Sequence, residues 1–136
     1  MESSVVLIES DLILMRTLTR GLERSGYQVT TWTDIHAAIE ALSTTQLRPT
    51  TPLIVDLNST RSWDVRLITR LEARYKHNRV ILLDDWLIDL DKLPERWSFL
   101  RKPFGITELL DELEALEALP FSGALGDSSS DELSTR

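Results

Sequence analysis

Leu53-Ile54-Val55-Asp56 is apolar for three residues and then ends in a carboxylate. A short run without polar alternation is the pattern of a strand buried on both faces, which a parallel sheet flanked by helices provides. Val5-Val6-Leu7-Ile8 upstream and Val80-Ile81-Leu82-Leu83 downstream repeat the pattern, the first running into Glu9 and the second into Asp84-Asp85. Between these runs the apolar spacing lengthens to that of helices. Asp11 is placed to cap a helix carrying Leu14, Leu18 and Leu22, with Met15 beside them, and Gly26 ends it. Gln28 to Trp32 is β-prone, and Asp34 caps a second helix with Ile35, Ile39 and Leu42 on one face. Ser43 to Pro52 is polar with two prolines and reads as a loop, and a third helix runs through Trp63, Leu67 and Leu71. Trp86 to Trp97, interrupted by Pro94, reads as one short helix or irregular chain. Ser98 to Arg101 forms a fifth strand, and Ile106, Leu109, Leu110, Leu113 and Leu116 mark a last amphipathic helix. Alternating strand and helix of this kind predicts an α/β domain built on a doubly wound parallel sheet with helices on both faces.

At 136 residues the chain is long enough for one hydrophobic core and hardly for two. Residues 1–119 are expected to form the domain. Residues 120–136, rich in Ser, Gly and Asp, read as a disordered tail or interdomain linker. The absence of cysteine closes disulfide frameworks, thiolate metal sites and thiol nucleophiles. A formal charge of −7 argues against binding nucleic-acid backbone with the whole domain and points to protein partners. No run is long enough for a membrane span, and Met1-Glu2-Ser3-Ser4 has no basic region, so a cytoplasmic location without membrane partners is expected.

The ligand-binding edge of an open parallel sheet lies at the strands' carboxyl ends. Glu9 with Asp11, Asp56, and Asp84 with Asp85 all fall there, and Lys102-Pro103 after the fifth strand brings one cation to the same edge. With Leu7-Ile8-Glu9-Ser10-Asp11, Leu53-Ile54-Val55-Asp56 with Asn58 two residues on, and Phe99-Leu100-Arg101-Lys102-Pro103-Phe104, the chain from Val5 to Leu119 resembles the receiver domains of bacterial two-component response regulators. The resemblance implies a flavodoxin-like fold with strand order 2-1-3-4-5. It also implies that Asp56 is the phosphoacceptor for a histidine kinase, that Mg²⁺ assists, that Lys102 holds phosphoryl oxygens, and that the Lys102–Pro103 bond is cis. Phosphoryl transfer depends chiefly on positioning and charge stabilisation, which suits those residue types.

Two departures from the family stand out. The second acid usually found after strand 1 is Ser10 here, leaving Glu9, Asp56 and Asn58 as a weak Mg²⁺ set. The usual Ser or Thr at the end of strand 4 is Asp84, a carboxylate that repels phosphate by on the order of 1 kcal/mol at about 4 Å even in water. Asp84 and Phe99 hold the family's switch positions, so coupling between them is expected to differ. These departures predict an atypical receiver acting by protein contact or dimerisation with little or no phosphorylation and no resident cofactor. An ordinary Mg²⁺-dependent receiver phosphorylated on Asp56 and a stand-alone signalling adaptor are the alternatives. A flavin-binding enzyme is disfavoured, because Glu9-Ser10-Asp11-Leu12 lacks glycine and carries the wrong charge for a phosphate loop, and no nucleophile–base pair is recognisable.

Trp86, Trp97 and Phe99 are expected to build an apolar patch on the face made by unit 4, strand 5 and the last helix, the face through which such domains often dimerise; filling of the core by both tryptophans, and packing of Phe99 on the last helix, are the alternatives. Arg66, Arg70 and Arg74 form a basic stripe at four-residue spacing, a solvated face or a site for an acidic protein. His36 and His77 are placed at the surface. The family adds a covalently linked DNA-binding or ATPase output domain, making the chain the N-terminal part of a transcriptional regulator.

Overall fold

The computed structural model describes residues 3–42, 47–56, 65–84 and 97–117. Along them run β1 (Ser3–Ile8), α1 (Leu12–Arg24), β2 (Tyr27–Trp32), α2 (Ile35–Ala41), β3 (Leu53–Asp56), α3 (Val65–Arg74), β4 (Val80–Asp84), β5 (Trp97–Arg101) and α4 (Ile106–Glu117). The strands form one sheet in the order β2-β1-β3-β4-β5, every neighbouring pair parallel. The doubly wound parallel sheet is the one the apolar runs predict, and its flavodoxin-like order is the one the resemblance implies. Ile8 pairs with Val55, Val55 with Leu82 and Asp84 with Arg101, so the carboxyl ends of the inner strands are level.

Side chains alternate across a strand, and the core divides accordingly. Val6, Ile8, Leu53, Val55, Val80 and Leu82 turn to one face, where Ile35, Ala38 and Ile39 of α2 and Leu71 of α3 cover them. Val5, Leu7, Ile54, Ile81 and Leu83 turn to the other, under Leu18 and Leu22 of α1 and Leu109, Leu113 and Leu116 of α4. Asp11 caps α1 as expected, its Oδ1 accepting from the amides of Ile13 at 3.0 Å and Leu14 at 3.2 Å. Asp34 caps α2 through the amide of Ala37 at 2.9 Å. Gly26 takes φ 97°, the left-handed conformation that lets the chain leave α1 for β2. Gly21 allows α1 and α4 to meet, since a Cβ there would stand 2.5 Å from Ile106 Cγ1. Between α3 and β4, buried Asn78 donates to the carbonyls of Arg48 at 2.9 Å and Thr51 at 2.8 Å in the loop before β3. Burial, then the Glu117 carboxylate it hydrogen-bonds and the charge of Glu114, pushes the Tyr27 hydroxyl up to about 12.

Two expectations are corrected. Trp97 begins β5, one residue earlier than the strand read from the sequence, and its side chain lies in the core with α2 and α3, not in a surface patch. Phe99, two residues on, faces the same way and packs partly buried against that cluster, so it does not pack on the last helix. Period-two alternation explains both: Trp97 and Phe99 share one face, while Leu100 packs on the α1–α4 side and Ser98 hydrogen-bonds Glu112 of α4. The expected fourth unit around Trp86 and the tail from Pro120 lie outside the described residues.

Candidate functional site

Three side chains meet at the sheet edge from strands far apart in sequence. Glu9 follows the last residue of β1, Asp56 ends β3, and Lys102 stands immediately after β5. Lys102 Nζ lies 2.9 Å from Asp56 Oδ2 and 3.8 Å from Glu9 Oε1. Both carboxylates are almost fully buried and the ammonium is about one-fifth exposed, so the cation closes the pocket over the acids. The Lys102–Pro103 peptide bond is cis.

Glu9 shows how tightly the acids are held. Burial, then a hydrogen bond to Asp56 and the Asp56 charge, raise its carboxyl from 4.5 to about 8, against the opposing pull of the Asp11 amide and Lys102. One oxygen, Oε2, accepts from the amide of Asp11 at 3.1 Å. The other, Oε1, is buried without a hydrogen-bond partner among the described residues, with Lys102 Nζ 3.8 Å away. Near neutral pH the Glu9 carboxyl therefore favours its protonated form.

The pocket is narrower than the sequence suggests. Asp11 is exposed and spends its carboxylate on the α1 cap, so it does not join the acids facing Lys102. Ser10 is exposed. The backbone of Asp84 pairs with Arg101 at the end of β4, while its side chain, with Asp85 and Asn58, lies outside the described residues. For a divalent cation the donors fit in part. Glu9 Oε1 is a buried acceptor aimed into the pocket, but among the described residues no group of three His, Cys, Asp or Glu side chains could hold a metal. What the sequence does not reveal is the raised Glu9 carboxyl, because it depends on burial beside Asp56, 47 residues away along the chain.

Outside the pocket, Arg70 Nη1 lies 3.4 Å from His36 Nδ1, joining the basic stripe of α3 to α2. Arg74, His36 and His77 are exposed, as expected, and the side chain of Arg66 lies outside the described residues. Among the described residues no helix is long and apolar enough to cross a membrane.

No protein-family model matches the chain, and no curated protein matches it. Solved structures do. The receiver domain of the sensor histidine kinase PA1611 from Pseudomonas aeruginosa PAO1, with magnesium coordinated in its active-site cleft, matches with a TM-score of 0.70 and 17% identity, covering 88% of this chain and 100% of that one. The beryllofluoride-activated NtrC4 receiver domain dimer matches at 0.69 and 19%, covering 83% and 94%. Full-length FixJ from B. japonicum matches at 0.66 and 20%, covering 84% of this chain and 57% of that chain. The fold is that of response-regulator receiver domains, a class of signalling domain.

Proposed function

We propose that this chain is an atypical receiver module, N-terminal in a transcriptional regulator, that acts by protein contact and dimerisation with little or no phosphorylation. The observation that carries the reading is a pocket balanced by its own charges. Lys102 is hydrogen-bonded to Asp56 at 2.9 Å, and β1 contributes one buried carboxylate where the family places two. Asp56 is the phosphoacceptor position, Lys102 the pocket cation, and Asp84 with Phe99 the altered switch pair. Glu9, Asp56 and Asn58 form at most a weak Mg²⁺ site, because Ser10 stands where the family has a second acid and Lys102 already holds Asp56 at 2.9 Å. The role is signalling and not catalytic, and its setting is the cytoplasm, where such relays operate.

The domain is taken as residues 1–119, with residues 120–136 a tail or linker toward a DNA-binding or ATPase output domain. The match to 57% of FixJ supports a receiver occupying part of a longer chain. The NtrC4 dimer supports a homodimer; its face is taken as unit 4, β5 and the last helix, although with Trp97 in the core the described part of that face is the outward side of α4.

The ordinary phosphorylated receiver, with a histidine kinase as partner, is favoured by a specific feature: Asp56 sits at the end of β3 within reach of both Lys102 and Glu9 Oε1. Amide NMR shifts around Asp56 and Lys102 on adding Mg²⁺ and beryllium fluoride, with Asp56→Ala as control, separate the two readings. Little or no response is expected. Saturable shifts abolished by Asp56→Ala would establish a working acceptor pocket and overturn the phosphorylation-independent reading. A stand-alone adaptor requires a gene product with no output domain.

A further inference from the structure

The outward side of α1 carries a basic strip that no described residue answers. Arg16, Arg20 and Arg24 recur at four-residue spacing, all exposed. Among the described residues none of the three guanidinium groups makes a hydrogen bond or an ion pair, in a chain whose net charge is −7. The carboxylate of Glu23, the acid of this helix, forms none either. Towards the start of the helix the strip runs into Leu12 and Ile13, the large hydrophobics left exposed among the described residues, at 52% and 78%. Beside it a groove of about 300 Å³ separates α1 from the edge strand β2, lined by Met15, Arg16, Thr19, Arg20, Glu23 and Thr31. Thr19 Oγ1 is buried there without a hydrogen-bond partner.

A segment of opposite charge begins close to the other end of this strip. The hydroxyl of Tyr27, just after Arg24 and Gly26, donates to the Glu117 carboxylate at 3.3 Å, so α4 ends near the C-terminal end of α1. Beyond the described residues the sequence runs on through Phe121-Ser122-Gly123-Ala124-Leu125-Gly126 to Asp127-Ser128-Ser129-Ser130-Asp131-Glu132-Leu133, a stretch with three acids and no base. From Glu117 to Asp127 a chain can span up to roughly 33 Å, and Gly123 and Gly126 allow it to double back. The spacings then agree. Asp127 to Asp131 covers about 13 Å when extended, and Arg24 to Arg16 about 12 Å along the helix, with Leu133 and Ile13 next in the same sense. On its other side α1 meets α4, whose five acids and no base repel an acidic strand and leave it the β2 side.

We propose that residues 127–133 dock in cis along α1, running against the direction of the helix. Asp127 pairs with Arg24, Asp131 and Glu132 pair with Arg20 and Arg16, and Leu133 covers Ile13. The serines between the acids lie over the groove, where the Thr19 hydroxyl gains an acceptor. Exposed ion pairs are individually weak, but a tethered segment meets its site at high effective concentration, so a docked fraction forms without a large interface. The contact adds little to the stability of the domain, and it loosens as salt shortens the screening length below about 10 Å. Its effect is on access and direction: docking hides the α1 strip from other acidic partners and fixes where the chain leaves the domain. The proposal rests on the reading of residues 120–136 as a tail or linker and is independent of whether Asp56 is phosphorylated.

The test is paramagnetic broadening of amide NMR signals in the 136-residue chain, whose lack of cysteine lets a nitroxide be placed at Ser129→Cys alone. At low salt the amides from Ile13 to Arg24 are expected to lose intensity selectively and to recover it as salt rises. Arg16→Glu/Arg20→Glu and, separately, Asp127→Lys/Asp131→Lys/Glu132→Lys are each expected to abolish the loss, because like charges then face each other. Combining the two sets restores opposite charge and should restore the broadening, which also shows that the arginine variant is folded. Absence of broadening on α1, or broadening on α3 around Arg70 and Arg74 in its place, would overturn the proposal. So would broadening of an isotope-labelled, nitroxide-free chain mixed with an unlabelled nitroxide-bearing one, which would mean contact between copies. Broadening that survives high salt and both variants would make the segment a fixed part of the fold and remove the tail reading as well.

Discussion

Glu9 concentrates the energetic tension of the pocket. Its folded-state carboxyl titrates near 8 against 4.5 when unperturbed, so between those values the folded state binds more protons than the unfolded one. Stability from this group is fully present below about pH 4.5 and falls as pH rises toward 8. Glu9→Gln removes the dependence, and thermal unfolding of the variant is expected to gain on wild type above pH 8, by on the order of a few kcal/mol at most, with little gain at pH 5. A parallel pH dependence in the variant would place the titration elsewhere. Asp11 offers the contrasting case of an exposed acid whose value lies in two amide hydrogen bonds. Asp11→Ala is expected to cost about 0.5–2 kcal/mol in chemical denaturation without changing the Lys102–Asp56 contact. Sequence reading found both acids but not their division of labour. Capping was visible from Asp11 preceding a helical repeat, whereas the burial of Glu9 depends on strands that meet only in the folded sheet.

At the scale of elements, the apolar runs specify their own faces, and their alternation sorts the core into two layers. That much was legible because four consecutive apolar residues between helical repeats have few other uses. In β5 the size of Trp97 and Phe99 suggests a surface patch, whereas the parity of their positions puts both with Leu82 and apart from α4. The arginines of α1 were overlooked for a similar reason, their four-residue spacing being hidden behind the leucines of the same helix. The α1–α4 contact depends on the missing side chain at position 21. Gly21→Ala drives a methyl into Ile106, and a loss of about 1–3 kcal/mol is expected from equilibrium unfolding despite alanine's better helix propensity. A neutral or stabilising result would mean that the two helices separate easily.

For the molecule as a whole, net charge conceals the arrangement of charge. An overall −7 coexists with an arginine strip on α1, a basic α3, and an α4 without a base. Composition excluded generic nucleic-acid binding but was silent about where complementary surfaces lie. If residues 1–119 are the complete folding unit, a chain stopped at Leu119 should melt within about 2 °C of the full chain, since a change of 1 kcal/mol moves a domain of this size by a few degrees. A larger fall would make the tail part of the fold. The three pocket residues come from positions 9, 56 and 102, carried by strands that pair only after long crossovers. Sheets of this kind gain their contacts late in folding, when loop-closure entropy has already been spent. The pocket is therefore an assembly checkpoint: no partly zipped intermediate lacking β5 can present it, and a partner that recognises Lys102 over Asp56 samples finished molecules alone.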